Sequence, residues 1–308
     1  MAKSVKYLKR PVTVTQKSFD DLVTALEQTD HTANSKLTRL FHYTDAAGLY
    51  GIVTSNKLRA THYKFLNDTT ELRWANSVAR TLLERKKESA RSKVVKAFVD
   101  AMLERIDEHN SPFDAYLACL SSKRDSLSQW RAYGTGVGYC IGLNIAPLKS
   151  LNLTVAEHHF FVKVNYDVDD QKAQIAEVLN RVIRLLSAAP ANLQEEAMTW
   201  AQDCFEGLIS VFSLYFKHPA FADESEWRLV LLQPTTDLLF RPDPQRGIIP
   251  YLELDFGAEG IGKLPLVSVR LGPGADRSKA GLGVRRLVKQ HGFPKCFVYY
   301  ASAPYTTA

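Results

Sequence analysis

The spacing of hydrophobic and polar positions predicts the first elements of the chain. A short strand over 37–43 and a second strand over 58–65 flank a helix over 46–55. Thr44-Asp45 offers the N-cap of that helix, because a side-chain oxygen there can accept from a free backbone N–H group. Apolar residues at helical spacing then predict an antiparallel helical hairpin, its first helix opening with a capping box at Asp68-Thr-Thr-Glu71.

The second half of the chain alternates between groups of strands and a helical block. Apolar and β-branched runs predict strands over 116–121, 138–145, 160–166, 226–232, 251–255, 266–271 and 297–301. Helical periodicity predicts helices over 175–186, 197–216 and 278–291. Strand clusters interrupted by helical hairpins predict an α+β fold with mostly antiparallel central sheets. We expect an N-terminal arm over 1–36 and a single α+β domain over 37–308, with a helical insertion at about 169–217.

Composition and charge narrow the class of protein. The net charge of +6 suits an anionic ligand or a transient nucleic-acid contact, although an ordinary basic surface explains it equally well. The four cysteines are far apart and form no CxxC pair, so a zinc ribbon is not predicted. The chain opens without a secretory signal and contains no run of eighteen apolar residues. We therefore expect a cytoplasmic protein with no membrane partner.

The sequence lacks several common catalytic motifs. The glycine-rich stretch Gly134–Gly138 precedes a strand, whereas a phosphate-binding loop precedes a helix. His158-His159 has no third ligand at metal-binding spacing. The sequence has no HExxH, no GxSxG and no lysine-bearing P-loop. We expect no metal site.

Three polar segments at strand ends are the candidate site. The first is His42-Tyr43-Thr44, where a strand gives way to a helix. The second begins with Ser121-Ser122 and continues through a predicted loop to Trp130, Arg131 and Tyr133, which can hold an anion or stack on a ring. The third is the acidic strand entry Asp223-Glu224-Ser-Glu226-Trp-Arg228. Clustered carboxylates at the mouth of a sheet are unfavourable unless solvent, a cation or Arg228 relieves them.

These segments carry a resemblance to a known family. The motifs are His42-Tyr43-Thr44, Leu66-Asn-Asp-Thr-Thr-Glu71, Ser128-Gln-Trp-Arg-Ala-Tyr133, His218-Pro-Ala-Phe-Ala-Asp-Glu-Ser-Glu-Trp-Arg228 and Ser302-Ala-Pro-Tyr305. In order and spacing they resemble the bacterial domain of unknown function 2971 family, from about Leu37 to Tyr305. That resemblance implies no established activity.

A looser resemblance implies chemistry. An early strand with His, a middle strand ending in hydroxyls and a late Glu-x-Glu are similar to the three motifs of the ADP-ribosyltransferase superfamily. The similarity implies a split β core and NAD as the dinucleotide substrate. His42 would bind a ribose hydroxyl of the adenosine, and Tyr43 and Thr44 next to it would belong to the cofactor-binding residues. Ser121 or Ser122 would be the middle-motif hydroxyl, and Trp130 or Tyr133 would stack on the ligand. Arg59 or Arg131 would hold the pyrophosphate, Glu226 would be catalytic and Glu224 would orient the nucleophile.

Two other functions stay open on the sequence alone. Asp68, Glu71, Asp223, Glu224 and Glu226 could gather around magnesium in a metal-dependent nuclease or phosphotransferase. The pocket could instead belong to a non-catalytic module that senses a nucleotide. The sequence does not identify the acceptor of a transferred group, whether protein or nucleic acid, and it does not predict the oligomeric state. A toxin or antiviral role is suggested by the type of chemistry alone.

Overall fold

The computed structural model describes residues 15–27, 37–66, 71–106, 114–133, 137–149, 153–257 and 262–302. The helices are α1 (Gln16–Glu27), α2 (Ala46–Ser55), α3 (Glu71–Ser89), α4 (Lys93–Arg105), α5 (Leu127–Tyr133), α6 (Ala146–Lys149), α7 (Val168–Ala188), α8 (Gln194–Ser213) and α9 (Lys279–Gln290). The strands are β1 (Arg39–Thr44), β2 (Lys57–His62), β3 (Ala115–Ser121), β4 (Tyr139–Asn144), β5 (Ala156–Lys163), β6 (Glu226–Pro234), β7 (Leu239–Asp243), β8 (Gly247–Asp255), β9 (Leu266–Leu271) and β10 (Phe297–Tyr300).

The described residues form two compact units. The helical unit takes its residues from Met1–Thr29, Asn76–Asn110 and Lys172–Ser210. It contains α1 and α4 and most of α3, α7 and α8. Phe98 of α4 and Phe205 of α8 pack edge to face with their ring centroids 6.1 Å apart. Phe19 of α1 is buried in this unit beside Trp200.

The second unit, the sheet unit, takes its residues from Asp30–Ala75, Ser111–Gln171 and Val211–Ala308. Its strands run in the order β10-β9-β4-β1-β3-β2-β8-β7, and β6 lies between β3 and β5. Neighbouring strands are antiparallel except for the parallel pair β9 and β10. The predicted α+β fold with mostly antiparallel strands is therefore confirmed.

One face of this sheet is covered by α2 and α9. Leu49 and Val53 of α2 and Val284 and Val288 of α9 belong to the same buried cluster as the inner residues of β1, β4 and β9. The predicted α2 has the observed bounds, because both of its ends are specified locally. Asp45 Oδ1 accepts from Gly48 N at 2.7 Å, and Asn56 ends the helix in the left-handed region at φ 61°.

Several elements differ from the sequence-based expectation: α6 was not predicted, and β5 begins and ends earlier than the predicted strand. The segment 127–133 was predicted as a loop but forms the short helix α5. Strand β7 was not predicted, because Pro242 interrupts its apolar pattern; at the edge of a sheet a proline is tolerated. Among the described helices, none combines the length and the hydropathy needed to cross a bilayer.

Candidate functional site

The three candidate segments lie on neighbouring strands. Phe41 of β1 is paired with Ser121 of β3, and Ser121 is paired on its other side with Glu226 of β6. Residues directly opposite one another in antiparallel strands project to the same face of the sheet. Phe41, Ser121 and Glu226 therefore share one face, which we call the site face. His42 follows Phe41 and alternates away from that face.

The sheet forks along β3. Both β1 and β2 pair with the edge of β3 that faces away from β6. Strand β1 meets it at Ser121, near its end, and β2 meets it at Leu117 and Tyr116, near its beginning. Among the described strands no ladder partner fills the gap between these contacts. The sheet therefore divides into a branch with β1, β4, β9 and β10 and a branch with β2, β8 and β7.

His42 lies at this fork. Its Nδ1–H donates to the carbonyl oxygen of Cys119 at 3.0 Å. Because a carbonyl only accepts, the bond fixes the tautomer, and the unprotonated Nε2 is left as an acceptor. Burial lowers the pKa of His42, and the bond to Cys119 opposes this only in part. The imidazole is thus neutral at pH 7 and suited to accept from a hydroxyl.

Glu226 is buried in a network of charged side chains. Arg228 makes a two-point contact with its carboxylate, Nε to Oε1 at 2.8 Å and Nη2 to Oε2 at 3.0 Å. Lys217 Nζ lies 3.3 Å from Oε2, and the thiol of Cys119 also hydrogen-bonds the carboxylate. Burial alone would raise the pKa of Glu226, but the charges of Arg228 and Lys217 outweigh it and lower the pKa to about 2. Glu226 is therefore ionised at physiological pH.

Glu224 shares Lys217 with Glu226. Lys217 Nζ lies 2.5 Å from Glu224 Oε2 and 4.8 Å from the ring centroid of Phe221. A turn brings the two acids together: a 3₁₀ helix over Pro219–Glu224 ends at Ser225, whose φ of 48° is left-handed. The cluster of Glu224, Glu226, Lys217 and Arg228 is consequently neutral overall.

Tyr43 and Trp130 are packed together inside the protein. Trp130 is 1% exposed and meets Tyr43 edge to face, with centroids 4.8 Å apart. The Tyr43 hydroxyl donates to the Lys123 carbonyl at 2.8 Å and accepts from Ser126 N at 2.9 Å. Burial is the main reason that the pKa of Tyr43 lies far above its usual value. These two aromatic residues fix the loop after β3 in place.

Two aspartates hold the same loop. Asp125 accepts from Trp130 Nε1 at 2.8 Å and from both the backbone N–H and the hydroxyl of Ser302, each at 2.8 Å. Asp223 pairs with Lys123 and accepts from Ser128 Oγ at 2.7 Å. The loop is thereby tied both to the chain after β10 and to the turn before β6.

A basic pocket lies beside this loop. It is a cavity of about 500 Å³, lined by Phe41, Ser122, Lys123, Arg124, Asp125, Arg270 and Ser302. The lining contains three cationic residues and one carboxylate, Asp125, which is engaged by Ser302 and lies 3.6 Å from Arg270. Lys123 is paired with Asp223 outside the lining. Arg124 is exposed and has no ion-pair partner among the described residues. The pocket is therefore suited to an anion.

The remaining candidate residues lie at other places in the fold. Thr44 ends β1, and its hydroxyl lies against Gly48 in the first turn of α2. Arg59 is on the β2 branch of the fork, 3.6 Å from Glu253 and over the ring of Tyr251. Arg131 is exposed on α5. The side chain of Tyr133 falls outside the described residues. Among the predicted site residues, Ser122 is the one that lines the basic pocket.

The described residues contain no cluster of three or more His, Cys, Asp or Glu side chains arranged for a metal ion. Asp68 and the side chain of Glu71, which the magnesium alternative invoked, fall outside the described residues. Asp223 and Glu224 turn toward Lys123 and Lys217, respectively.

Sequence reasoning missed two basic residues that shape the site. Arg270 interrupts the apolar strand Leu266–Leu271, and a charge inside such a strand signals a partner or a ligand. Lys217 follows the apolar end of α8 and directly precedes His218-Pro219. Both positions were visible as charges next to apolar runs. The partner of Arg270, Asp125, is distant in sequence, whereas the partners of Lys217, Glu224 and Glu226, follow it closely.

Comparison with known proteins gives one match. The family model described as "Protein of unknown function (DUF2971)" matches residues 129–229. This is 101 of the 308 residues, from α5 through the first residues of β6, and it includes Trp130, Glu224 and Glu226. Neither a curated protein nor a solved structure matched the chain.

Proposed function

We propose that the basic pocket binds NAD and that the chain cleaves its nicotinamide–ribose bond, transferring ADP-ribose to an acceptor. The observation that carries the proposal is the pocket itself, where Lys123, Arg124 and Arg270 surround Ser122 at the end of β3. Guanidinium groups bind phosphate oxygens through paired, charge-assisted hydrogen bonds. A pyrophosphate is the part of the dinucleotide that fits these groups. They take the place of Arg59 and Arg131 in the sequence-based assignment.

Glu226 suits the sugar of the ligand. His42 lies on the other face of β1, opposite the buried Ile141, so the proposal gives His42 no contact with the ligand. Glu226, ionised in the folded chain, is paired across the ladder with Ser121, next to the pocket residue Ser122. In the reaction the C–N bond breaks and its electron pair leaves with nicotinamide. The acceptor forms the new bond to the sugar and releases its proton.

A fixed carboxylate supports this step because positive charge develops on the sugar in the transition state. Both oxygens of Glu226 are engaged in the structure, by Arg228 and Lys217. Lys217 makes the longer contact, and it has Glu224 as a second partner. The proposal therefore requires the sugar to take the place of Lys217 at Glu226 while Arg228 stays bound.

A second candidate function is a nucleotide-sensing module that binds the same ligand without cleaving it. The observation that favours it is the complete internal pairing of Glu226, since a carboxylate neutralised by Arg228 and Lys217 stabilises a nearby cation less. The two candidates share the basic pocket and differ only in turnover.

Calorimetric titration with NAD and ADP-ribose, together with chromatographic detection of free nicotinamide, separates the candidates. We expect Glu226→Gln to abolish nicotinamide release while retaining NAD binding. The matched control is Glu253→Gln, because Glu253 is also paired with a lysine and an arginine but lies on the other branch of the fork. We expect Arg124→Gln to weaken binding about tenfold through the loss of a phosphate contact.

Binding of NAD by the wild-type chain without nicotinamide release, in the presence of bacterial lysate as a source of acceptors, would favour the sensing module. If saturating NAD and ADP-ribose give no heat of binding and no thermal stabilisation, both candidates fail. Unfolding of each variant is followed in parallel, so that loss of folded protein is not counted as loss of binding.

A further inference from the structure

The site face continues across β4, β9 and β10 as two rows of side chains. Cross-strand pairing defines the first row as Phe41, Gly142, Ser268 and Phe297. The second row is Tyr43, Cys140, Arg270 and Tyr299. Trp130 packs onto Tyr43 and Cys140. At the other end of the rows, Phe297 and Tyr299 are 60% and 42% exposed.

The exposed part of this face is an aromatic strip, consisting of Phe41, Phe297 and Tyr299 with Arg270 among them. The rings of Phe297 and Tyr299 lie within 24° of parallel, with centroids 6.1 Å apart. The guanidinium of Arg270 lies 5.4 Å from the Tyr299 ring centroid. Gly142 keeps the floor of the strip flat. A Cβ there would collide with Ser268 Oγ and lie 3.2 Å from the Phe41 ring.

The strip is flanked by positive charge on two sides. Arg39 lies on one side of the strip. It is exposed, and it is on the same face of β1 as Phe41 because it precedes Phe41 by two residues. Lys123, Arg124 and Arg270 line the basic pocket on the other side, and Phe41 is shared between the strip and that pocket. The pocket's one carboxylate, Asp125, is held by Ser302 and Trp130. An aromatic surface bordered by cations is complementary to bases joined by phosphates.

We propose that the aromatic strip binds single-stranded nucleic acid, with bases on Phe297, Tyr299 and Phe41 and phosphates on the flanking cations. A single strand is favoured over a duplex for two reasons. Bases inside a duplex are stacked about 3.4 Å apart and do not expose their faces, whereas the two rings stand 6.1 Å apart. An extended strand can place successive bases at that larger spacing. The net charge of +6 has the sign that such a ligand needs.

This inference goes beyond the proposed NAD chemistry and does not depend on it. Because Phe41 and Arg270 also line the basic pocket, a bound strand would run to the mouth of that pocket. Only if NAD is cleaved there does the strand become a candidate acceptor of ADP-ribose. That last step alone rests on the proposed function.

Fluorescence anisotropy of a labelled oligothymidylate about twelve nucleotides long, a length within the range that single-strand-binding folds cover, tests the proposal. We expect Phe297→Ala and Tyr299→Ala each to weaken binding about fivefold or more, because one stacked base is lost, and the double variant to weaken it further. The control variants are Phe240→Ala and Tyr50→Ala, which replace rings that are 61% and 62% exposed on β7 and α2. We expect these controls to change affinity less than about twofold.

The proposal would be overturned if the control variants lost as much affinity as the strip variants or if a duplex of equal length bound as tightly as the single strand. The absence of oligonucleotide binding at low salt would also overturn it. Light scattering tests whether the strip instead contacts a second copy of the chain. A wild-type dimer that dissociates in Phe297→Ala would show that the strip contacts a second copy of the chain and would refute the nucleic-acid assignment. Oligonucleotide binding by a chain that does not bind NAD would uphold this proposal and reject the earlier one.

Discussion

Replacing Glu226 by glutamine tests the buried charge cluster directly. The substitution keeps the shape of the side chain and removes one of the two negative charges that neutralise Lys217 and Arg228. The side chains of both cations are almost entirely buried, 5% and 2% exposed, so water cannot replace the lost carboxylate. A folded-state pKa of about 2, against the ordinary 4.5, corresponds to about 3 kcal/mol of stability at neutral pH. Breaking a buried ion pair by removing one partner has a similar effect, about 3–5 kcal/mol.

The same pKa sets the pH dependence of this contribution. The folded chain holds the Glu226 proton less tightly than the unfolded chain does, so ionisation favours folding. The stabilisation is complete above the unfolded pKa near 4.5 and is lost as the pH falls toward the folded pKa of about 2. We expect the difference in unfolding free energy between wild type and Glu226→Gln to be about 3 kcal/mol at pH 7 and roughly half of that at pH 3.

Urea denaturation monitored by tryptophan fluorescence at several pH values measures this difference. Glu253→Gln is the control, since Glu253 and its partner Lys57 are 19% and 31% exposed. We expect the control to lose less than about 1 kcal/mol, because water screens its ion pairs. A loss below 1 kcal/mol for Glu226→Gln at pH 7, or a loss that does not change down to pH 3, would refute the assignment of Glu226 as the ionised centre of the cluster.

Three further predictions concern single residues of the sheet and of α2. Gly142→Ala should lower the unfolding free energy by about 1–3 kcal/mol, because the added methyl group meets Ser268 and Phe41. Gly51→Ala should raise the unfolding free energy by about 0.5–1 kcal/mol, because the added methyl group in α2 meets nothing within 4 Å. If urea denaturation gave the two variants the same change in unfolding free energy, the packing around Gly142 described above would be wrong. Nitrogen-15 NMR should show His42 as the Nδ1–H tautomer at pH 7, titrating below the ordinary pKa of 6.5. A His42 that titrates above 6.5 would rule out a buried, neutral imidazole.

Local signals in the sequence predicted the helices and most strands well, because the physical causes lie within a few residues. Helix α2 has its N-cap at Asp45 and ends at Asn56, whose backbone is in the left-handed region, so both bounds can be predicted from the local sequence. Helix α5 is only seven residues long, which is too short for the spacing of hydrophobic residues to indicate a helix. It is held by Trp130, whose partners Asp125 and Tyr43 are positioned by the tertiary fold. The conformation of such a short segment is determined by tertiary packing, which the spacing of hydrophobic residues does not predict.

The sequence indicated the segments of the candidate site, but it did not indicate which side chains contact one another. In the structure, residues 41–44, 121–122 and 224–228 lie on or next to the neighbouring strands β1, β3 and β6. The face on which each side chain lies was not predictable, because a shift of one residue in a strand exchanges the two faces. This is why Phe41, rather than its neighbour His42, lines the basic pocket. Arg270 and Ser302 join the site only through the pairing of β4, β9 and β10.

The sequence indicated one acidic motif at the candidate site, whereas the structure has two groups of charged residues that differ in net charge. Glu224 and Glu226 form a neutral, buried cluster with Lys217 and Arg228, and an anionic ligand gains little from a cluster without net charge. The loop after β3 has the opposite character, since Lys123, Arg124 and Arg270 outnumber the carboxylate of Asp125 around the pocket. Under the proposed function, the loop after β3 and β9 would bind the anion, whereas the chemistry at the sugar would depend on Glu226. Variants of Arg124 and of Glu226 consequently report on different steps, and a chain that binds without cleaving would have lost only the second.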